Sequence, residues 1–325
     1  MSVLLQARNL VVSFDARGEG LFAPPVELQA LQGVSLEMDA GQSVGVVGES
    51  GSGKSTLART LLQLLPLTSG EVILQGENLA ALSPQALRQM RRQVQMIFQD
   101  PSASLDPRMR VEHIVGEPLR VFEPQLDRAE RRWRVLAMLA RVDLSAQHLA
   151  RFPHELSGGQ AQRVAIARAL IAGPKLLVCD EVLSALDVTL RAQVLELLNG
   201  LRVEQNLALL FIAHDLAAVR RACERALVLN LGRVMEAAPI DLLFRQPRHP
   251  YTRALLESAP IADPRRARAR KTATLRGEPA SPFDPPSGCV FRNRCPFAIE
   301  RCALEVPVLR ELAGSRVACH RAEEI

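Results

Sequence analysis

No stretch of the 325 residues approaches the roughly 18 to 20 consecutive apolar residues that crossing a bilayer requires, and the opening MSVLLQARNL lacks the basic-then-apolar order of a signal peptide. A cytoplasmic chain is therefore expected. A strong charge of either sign is missing too. Forty Lys and Arg against 35 Asp and Glu leave +5, too little at this length to argue for nucleic acid or lipid. No internal repeat is long enough to supply a second copy of a core. Cysteine is scarce and uneven. Of six, Cys179 and Cys223 stand apart, whereas Cys289, Cys295, Cys302 and Cys319 crowd near the end. In a reducing compartment that crowding favours metal over disulfides. What the chain has in quantity is apolar residues, 48%, enough for a full core in one large domain plus an appendage.

A short strand from Gln29, a turn at Gly41 and the apolar run Ser43 to Val47 read as a strand, a turn and a buried strand, with a helix expected just after. Similar buried strands are expected at Gln95 to Phe98, Lys175 to Cys179 and Ala208 to Ala213, the last two each preceded by a helical pattern. That alternation predicts an α/β core. Leu119 to Val142, rich in Arg, Glu, Leu and Ala, should form helices outside the sheet, and 82–155 is expected to be a helical insertion. After Gly232 the composition turns to Pro, Arg and Ala, with four arginines in Arg265 to Arg270 ahead of Pro279, Pro282, Pro285 and Pro286. Without interleaved aromatics, that run reads as a solvated linker into a small terminal unit.

The segment Gly48-Glu49-Ser50-Gly51-Ser52-Gly53-Lys54-Ser55-Thr56 fits G-x-x-x-x-G-K-[ST] between an expected strand and an expected helix. Glycines let successive backbone N–H groups face an anion, and the following helix adds the positive end of its dipole. Lys54 should bridge the outer phosphates of ATP, and the Ser55 hydroxyl is a hard oxygen ligand suited to Mg²⁺. Four apolar residues, Leu176 to Cys179, deliver Asp180 and Glu181 to a strand end. Asp180 would bind Mg²⁺ through water and Glu181 would orient or deprotonate the attacking water, since phosphoryl transfer is mostly positioning and charge stabilisation.

Shortly before the acidic strand stands Leu156-Ser157-Gly158-Gly159-Gln160. On its own it could be a Ser-capped helix start. With the phosphate loop, Asp180-Glu181, Gln99 after a strand, Ser184-Ala185-Leu186-Asp187 and His214 after another strand, the set resembles the motifs of the ATP-binding cassette family, in family order. The resemblance implies a P-loop NTPase core of mixed sheet with flanking helices, an antiparallel β edge and a helical subdomain. It also implies a head-to-tail dimer, in which Ser157, Gly158, Gly159 and Gln160 serve the partner's nucleotide. Gln99 would join Ser55 and Asp180 around Mg²⁺, and His214 would sense the γ-phosphate. The family commonly has a Pro-containing pair where this chain has Val182-Leu183, which leaves the path to Asp187 open. Phe14 is the expected adenine-stacking residue, with Phe22 the alternative.

The tail, His249-Pro250-Tyr251-Thr252-Arg253-Ala254-Leu255-Leu256 followed by the four cysteines and His320, resembles the ATPase subunits of oligopeptide and dipeptide importers. The implied layout is a cassette over 1–245 and a small Cys-rich extension over 246–325. The resemblance implies a 4Fe-4S cluster on Cys289, Cys295, Cys302 and Cys319. Zinc and an unliganded tail stay open, although the close C-x₂₋₄-C pairs usual for zinc are absent. Cys179 and Cys223 read as small buried hydrophobes. The implied function is MgATP hydrolysis coupled to import of di- or oligopeptides, or alternatively of glutathione or nickel chelates. The implied setting is the cytoplasmic face of the plasma membrane. There the chain would lie beside a second, related ATPase subunit and under two transmembrane permease subunits, with an external substrate-binding protein and no nucleic acid. A soluble cassette acting on ribosomes or DNA, and a metal-dependent redox or sensing protein, are the rivals.

Overall fold

Two long strands, β1 (Val3–Arg17) and β2 (Pro25–Asp39), precede a turn at Gly41, and β3 (Ser43–Val47) follows with all five residues buried. β2 is fifteen residues long rather than the short strand its sequence suggested. Gly41 has φ +72, and a Cβ there would lie 2.2 Å from the Asn206 side chain, so the turn needs glycine. The computed structural model describes residues 3–17, 25–184, 186–258 and 280–325. Phe22, Ala185 and the run Arg265 to Arg270 lie outside them.

Helix α1 (Lys54–Leu61) starts after the glycine-rich loop as expected, and β4 (Ser69–Leu74) and β5 (Glu77–Asn78) follow. The expected helical insertion over 82–155 is interrupted. α2 (Pro84–Met90), capped by Ser83, leads into the strand β6 (Val94–Ile97) before helices resume with α3 (Pro101–Ser104), α4 (Val111–Phe122) and α5 (Arg128–Arg141). β6 was itself expected from its apolar run. The insertion boundary drawn around it was too generous.

Contacts divide the chain into two units. The first holds Met1–Leu5, Met38–Ser43 and Leu74–Ala213, and the second Gln6–Glu37, Val44–Ile73 and His214–Ile325. In the first, β6, β7 (Leu176–Asp180) and β8 (Ala208–Ile212) run parallel, with Val94 opposite Leu176 and Cys179 opposite Phe211. Every residue of β7 and β8 is buried. A parallel strand covered on both faces has no polar side, which is why these segments read as unbroken apolar runs. α3, α4 and α5 pack on α6 (Gly158–Leu170), and Val115, Leu119, Val135, Leu139 and Val164 on α4, α5 and α6 are all buried. Each such side chain contributes roughly 1.5–3 kcal/mol, so tertiary packing outweighs helix propensity in holding this layer. α7 (Val188–Gln205) connects β7 to β8.

In the second unit β3 pairs in parallel with β9 (Arg225–Asn230), Val47 opposite Val228, after the short helix α8 (Leu216–Ala222). β9 pairs antiparallel with β10 (Arg233–Pro239). Helices α9 (Ile240–Arg245) and α10 (Pro250–Ser258) follow. The late hairpin of β11 (Arg310–Leu312) and β12 (Ser315–Val317) adds β12 to β10, with Glu236 opposite Val317. The C-terminal region is therefore built into the same unit as the glycine-rich loop.

Candidate nucleotide site

From β3 the chain turns through Gly48 and Gly53 into α1. A Cβ on Gly48 would lie 2.2 Å from the Leu229 carbonyl oxygen, and one on Gly53, at φ +102, 2.6 Å from that of Ala30. Neither position can carry a side chain without moving the backbone of a neighbour. The Ser52 N–H donates to the Glu49 carbonyl at 3.2 Å, and the Ser52 carbonyl accepts from the Gly232 N–H at 2.9 Å, which closes the loop. Lys54 is only 5% exposed. Its Nζ donates to the carbonyls of Gly48 at 2.9 Å and Glu49 at 2.8 Å and to Ser52 Oγ at 3.4 Å, so the ammonium charge is held inside the curve of the loop. Ser50 and Gly51 face solvent, and Ser55 and Thr56 are half-buried in the first turn of α1. Such an arrangement presents main-chain N–H groups, a helix N-terminus and one cation to an oxyanion.

In the first unit Asp180 ends β7, 2% exposed. Glu181 follows with φ 49, a left-handed conformation costing about 1–3 kcal/mol for a non-glycine residue. Its N–H donates to the Ile212 carbonyl at 3.0 Å, and its Oε2 accepts from Gln99 Nε2 at 2.8 Å. Two residues picked out separately in the sequence are thus brought into direct contact. Val182 and Leu183, the departure from the family pattern, are buried. Ser184 Oγ donates to the Glu181 carbonyl at 2.9 Å, and Asp187 caps α7 by accepting from the Thr189 and Leu190 N–H groups. The apolar pair is absorbed by the core.

Ser157 caps α6 in a reciprocal box, accepting from the Gln160 N–H at 3.3 Å while Gln160 Oε1 accepts from the Ser157 N–H at 3.0 Å. Ser157 and Gly158 are exposed, whereas Gly159 is buried with the Leu190 side chain 2.9 Å from where a Cβ would stand. His214, exposed, lies between β8 and α8, and Phe14 is half-buried on β1. Gly48 to Thr56, Phe14 and His214 belong to the second unit; Gln99, Asp180, Glu181 and Ser157 to Gln160 belong to the first.

Sequence reasoning missed two residues that touch the loop. The Glu49 N–H donates to Tyr251 Oη at 2.9 Å, and the Glu49 carboxylate receives both ends of the Arg294 guanidinium, at 2.6 and 2.9 Å. Tyr251 is fully buried and packs on Phe291, ring centroids 5.2 Å apart. Burial raises its phenol above the usual range. Beneath it, His249 Nδ1 accepts from the Tyr251 N–H at 3.0 Å, with burial pushing that imidazole down to about 3 and so keeping it neutral. The Glu236 carboxylate accepts from the Arg248 and His249 N–H groups. The segment His249-Pro250-Tyr251 had been singled out only as a family mark. Nothing local in Arg294 announces its target.

Cys179 and Cys223 are buried, as small hydrophobes should be. The four late cysteines are free thiols. Burial raises Cys289 and Cys319, and raises Cys295 to about 11, with Cys302 adding to each shift. Four soft donors thus lie within electrostatic reach of one another. Among the described residues, however, no group of three or more His, Cys, Asp or Glu is disposed to hold a metal ion.

Comparison with known proteins places these features in context. The family described as "ABC transporter" matches residues 31–184, and "Oligopeptide/dipeptide transporter, C-terminal region" matches residues 235–302. The chain is 47% identical over 326 residues to the oligopeptide transport ATP-binding protein OppF of Salmonella typhimurium, covering 99% of this chain and 97% of that protein. It is 46% identical to the di/tripeptide transport ATP-binding protein DppF of Pseudomonas aeruginosa, covering 100% and 99%. A solved ATP-binding cassette, a dimer in a post-hydrolysis state bound to ADP and Pi, superposes with a TM-score of 0.66 at 30% identity over 73% of this chain and 99% of that one.

Proposed function

This chain belongs to the ABC transporter family as an ATP-hydrolysing cassette subunit, and from that premise we propose that it powers the import of di- and oligopeptides through membrane partners. The observation that carries the reading is the joining, in one chain, of the cassette motifs with a C-terminal region that matches the oligopeptide/dipeptide transporters over residues 235–302. Among the described residues no helix is long and apolar enough to cross a membrane, and in this reading other chains supply the substrate path. These would be two transmembrane permease subunits on whose cytoplasmic side the chain sits, fed by an external binding protein.

Lys54 and the loop amides of Gly48 to Thr56 hold the ATP phosphates in this proposal. Ser55, Gln99 and Asp180 would hold Mg²⁺, which would supply charge neutralisation at the phosphates. Glu181 takes the proton of the attacking water, and Gln99, bonded to it, keeps its carboxylate aimed. His214 reads the γ-phosphate, and Phe14 stacks on adenine. Ser157, Gly158, Gly159 and Gln160 close over the nucleotide of a second, related ATPase subunit, as the dimeric state of the solved cassette supports. The cassette is assigned to 1–245 and the extension to 246–325. Extraction of the tagged chain from membranes in mild detergent should recover integral membrane partners, and reconstituted vesicles should take up labelled peptide only with ATP. Recovery with ribosomes or DNA and no membrane protein would refute the transport reading.

The late cysteines are the finer part of the proposal. Their number and softness, and the absence of the close C-x₂₋₄-C pairs usual for zinc, favour a 4Fe-4S cluster on Cys289, Cys295, Cys302 and Cys319; the described thiols do not form a metal-holding group, so binding it would have to draw them together. Protein purified without oxygen should be brown, with broad visible absorbance and about four irons per chain, and Cys295→Ser should lose both. A colourless, iron-free chain carrying zinc would overturn the assignment.

A further inference from the structure

The phosphate loop is gripped from behind by residues far along the chain. We propose that Tyr251 and Arg294 are positioning residues for nucleotide binding. They fix the main chain of Gly48 and Glu49, so that the curve of the loop and the seat of Lys54 are set before the phosphates arrive. The proposal rests on the reading of Gly48 to Thr56 as the nucleotide site.

Three observations converge on Glu49. Its N–H is bonded to a buried phenol and its carboxylate to a two-pronged guanidinium, and its carbonyl, with that of Gly48, accepts from Lys54 Nζ. One residue therefore links the C-terminal grip to the cation of the loop. The grip is rigid. Side-chain exposure is 9% for Arg294 and 24% for Glu49, so the pair is shielded from the screening that weakens surface ion pairs. The Arg294 guanidinium carbon also lies 5.8 Å from the centre of the Phe291 ring, the same ring that packs on Tyr251. Arg and Tyr thus share one aromatic support. A bidentate Arg–carboxylate pair fixes direction as well as distance, which lysine cannot reproduce.

Gly48, Gly53 and the Ser52 hydrogen bonds allow the curvature of the loop but do not fix the direction of Glu49, which the Tyr251 and Arg294 contacts supply. The pair is better explained as preorganisation. A loop already held in its binding shape loses less freedom when phosphate arrives. Loss of the grip should therefore appear in affinity and in KM for ATP, with the turnover of bound ATP largely kept.

The test uses the full chain and calorimetric titration with MgATP, alongside thermal melting and steady-state hydrolysis. Arg294→Gln and Tyr251→Phe should each weaken MgATP binding on the order of tenfold, raising KM more than they lower kcat. Arg294→Lys should recover part of the loss. Glu49→Gln combined with Arg294→Gln should be little worse than either alone, because both remove one interaction. Tyr251→Phe keeps the ring and its packing, so it separates the hydroxyl from the fold. Affinities within twofold of the unaltered chain for both Arg294→Gln and Tyr251→Phe, even with a lowered melting point, would overturn the proposal and leave a merely structural contact. An unaltered chain that fails to bind MgATP would instead overturn the nucleotide-site reading, and the proposal with it.

Discussion

Glu181→Gln is expected to bind MgATP as the unaltered chain does and to hydrolyse it about 10²- to 10⁴-fold more slowly, the range typical of a lost general base. The geometry isolates that effect. Glutamine is nearly isosteric with glutamate, and its side-chain oxygen can still accept from Gln99 Nε2, the contact observed at 2.8 Å. Asp180, one residue back at the end of β7, is untouched. The unusual backbone at 181, φ 49, is equally available to either side chain. What disappears is a carboxylate able to take a proton. Phosphate release under single-turnover conditions, set beside a MgATP titration, separates the two properties. A variant that hydrolyses at nearly the normal rate would remove Glu181 from the chemistry, and an equal loss of binding would make it a nucleotide ligand instead.

Lys54→Ala should damage both properties. The ammonium is 5% exposed and is surrounded by carbonyl oxygens of Gly48 and Glu49. Removing it takes away the one cation seated in the loop and leaves two main-chain acceptors without that donor. Loss of a single preorganised donor to developing phosphate charge lowers turnover by roughly 10²- to 10³-fold, and in the proposed site the same group would also contact the ground-state phosphates. MgATP affinity should fall together with kcat. If only kcat falls, Lys54 acts in the transition state alone; if neither falls, the loop is not a phosphate site. The contrast between the two variants is informative as a pair, since one separates binding from chemistry and the other cannot.

Much of the fold is legible in the sequence alone. β3, β7 and β8 were legible because strands buried on both faces are written as continuous apolar runs. The phosphate loop was legible because G-x-x-x-x-G-K-[ST] is written in one short run, Gly48 to Ser55, between an apolar strand and a helix. β6 was legible as a strand, yet it was enclosed in a helical insertion, because a four-residue strand between helices leaves little compositional trace. Least legible were contacts made over distance. Tyr251 lies 202 residues from Glu49 and Arg294 lies 245 residues from it, and no periodicity or local motif encodes a pairing of that span. The four cysteines show the opposite limit. Their crowding is plain in the sequence, but side-chain disposition decides whether they can close around a metal, and composition is silent on that.

The long reach of the Arg294–Glu49 pair also sets a schedule. A chain is made from its amino end, and N-terminal parts organise first during synthesis. The phosphate loop therefore leaves the ribosome long before Tyr251, and longer still before Arg294. Until those residues emerge and dock, the nascent chain carries the loop sequence without the grip on Glu49. On the proposed grip, tight holding of the nucleotide is thus acquired only once the C-terminal region has emerged and docked on Glu49.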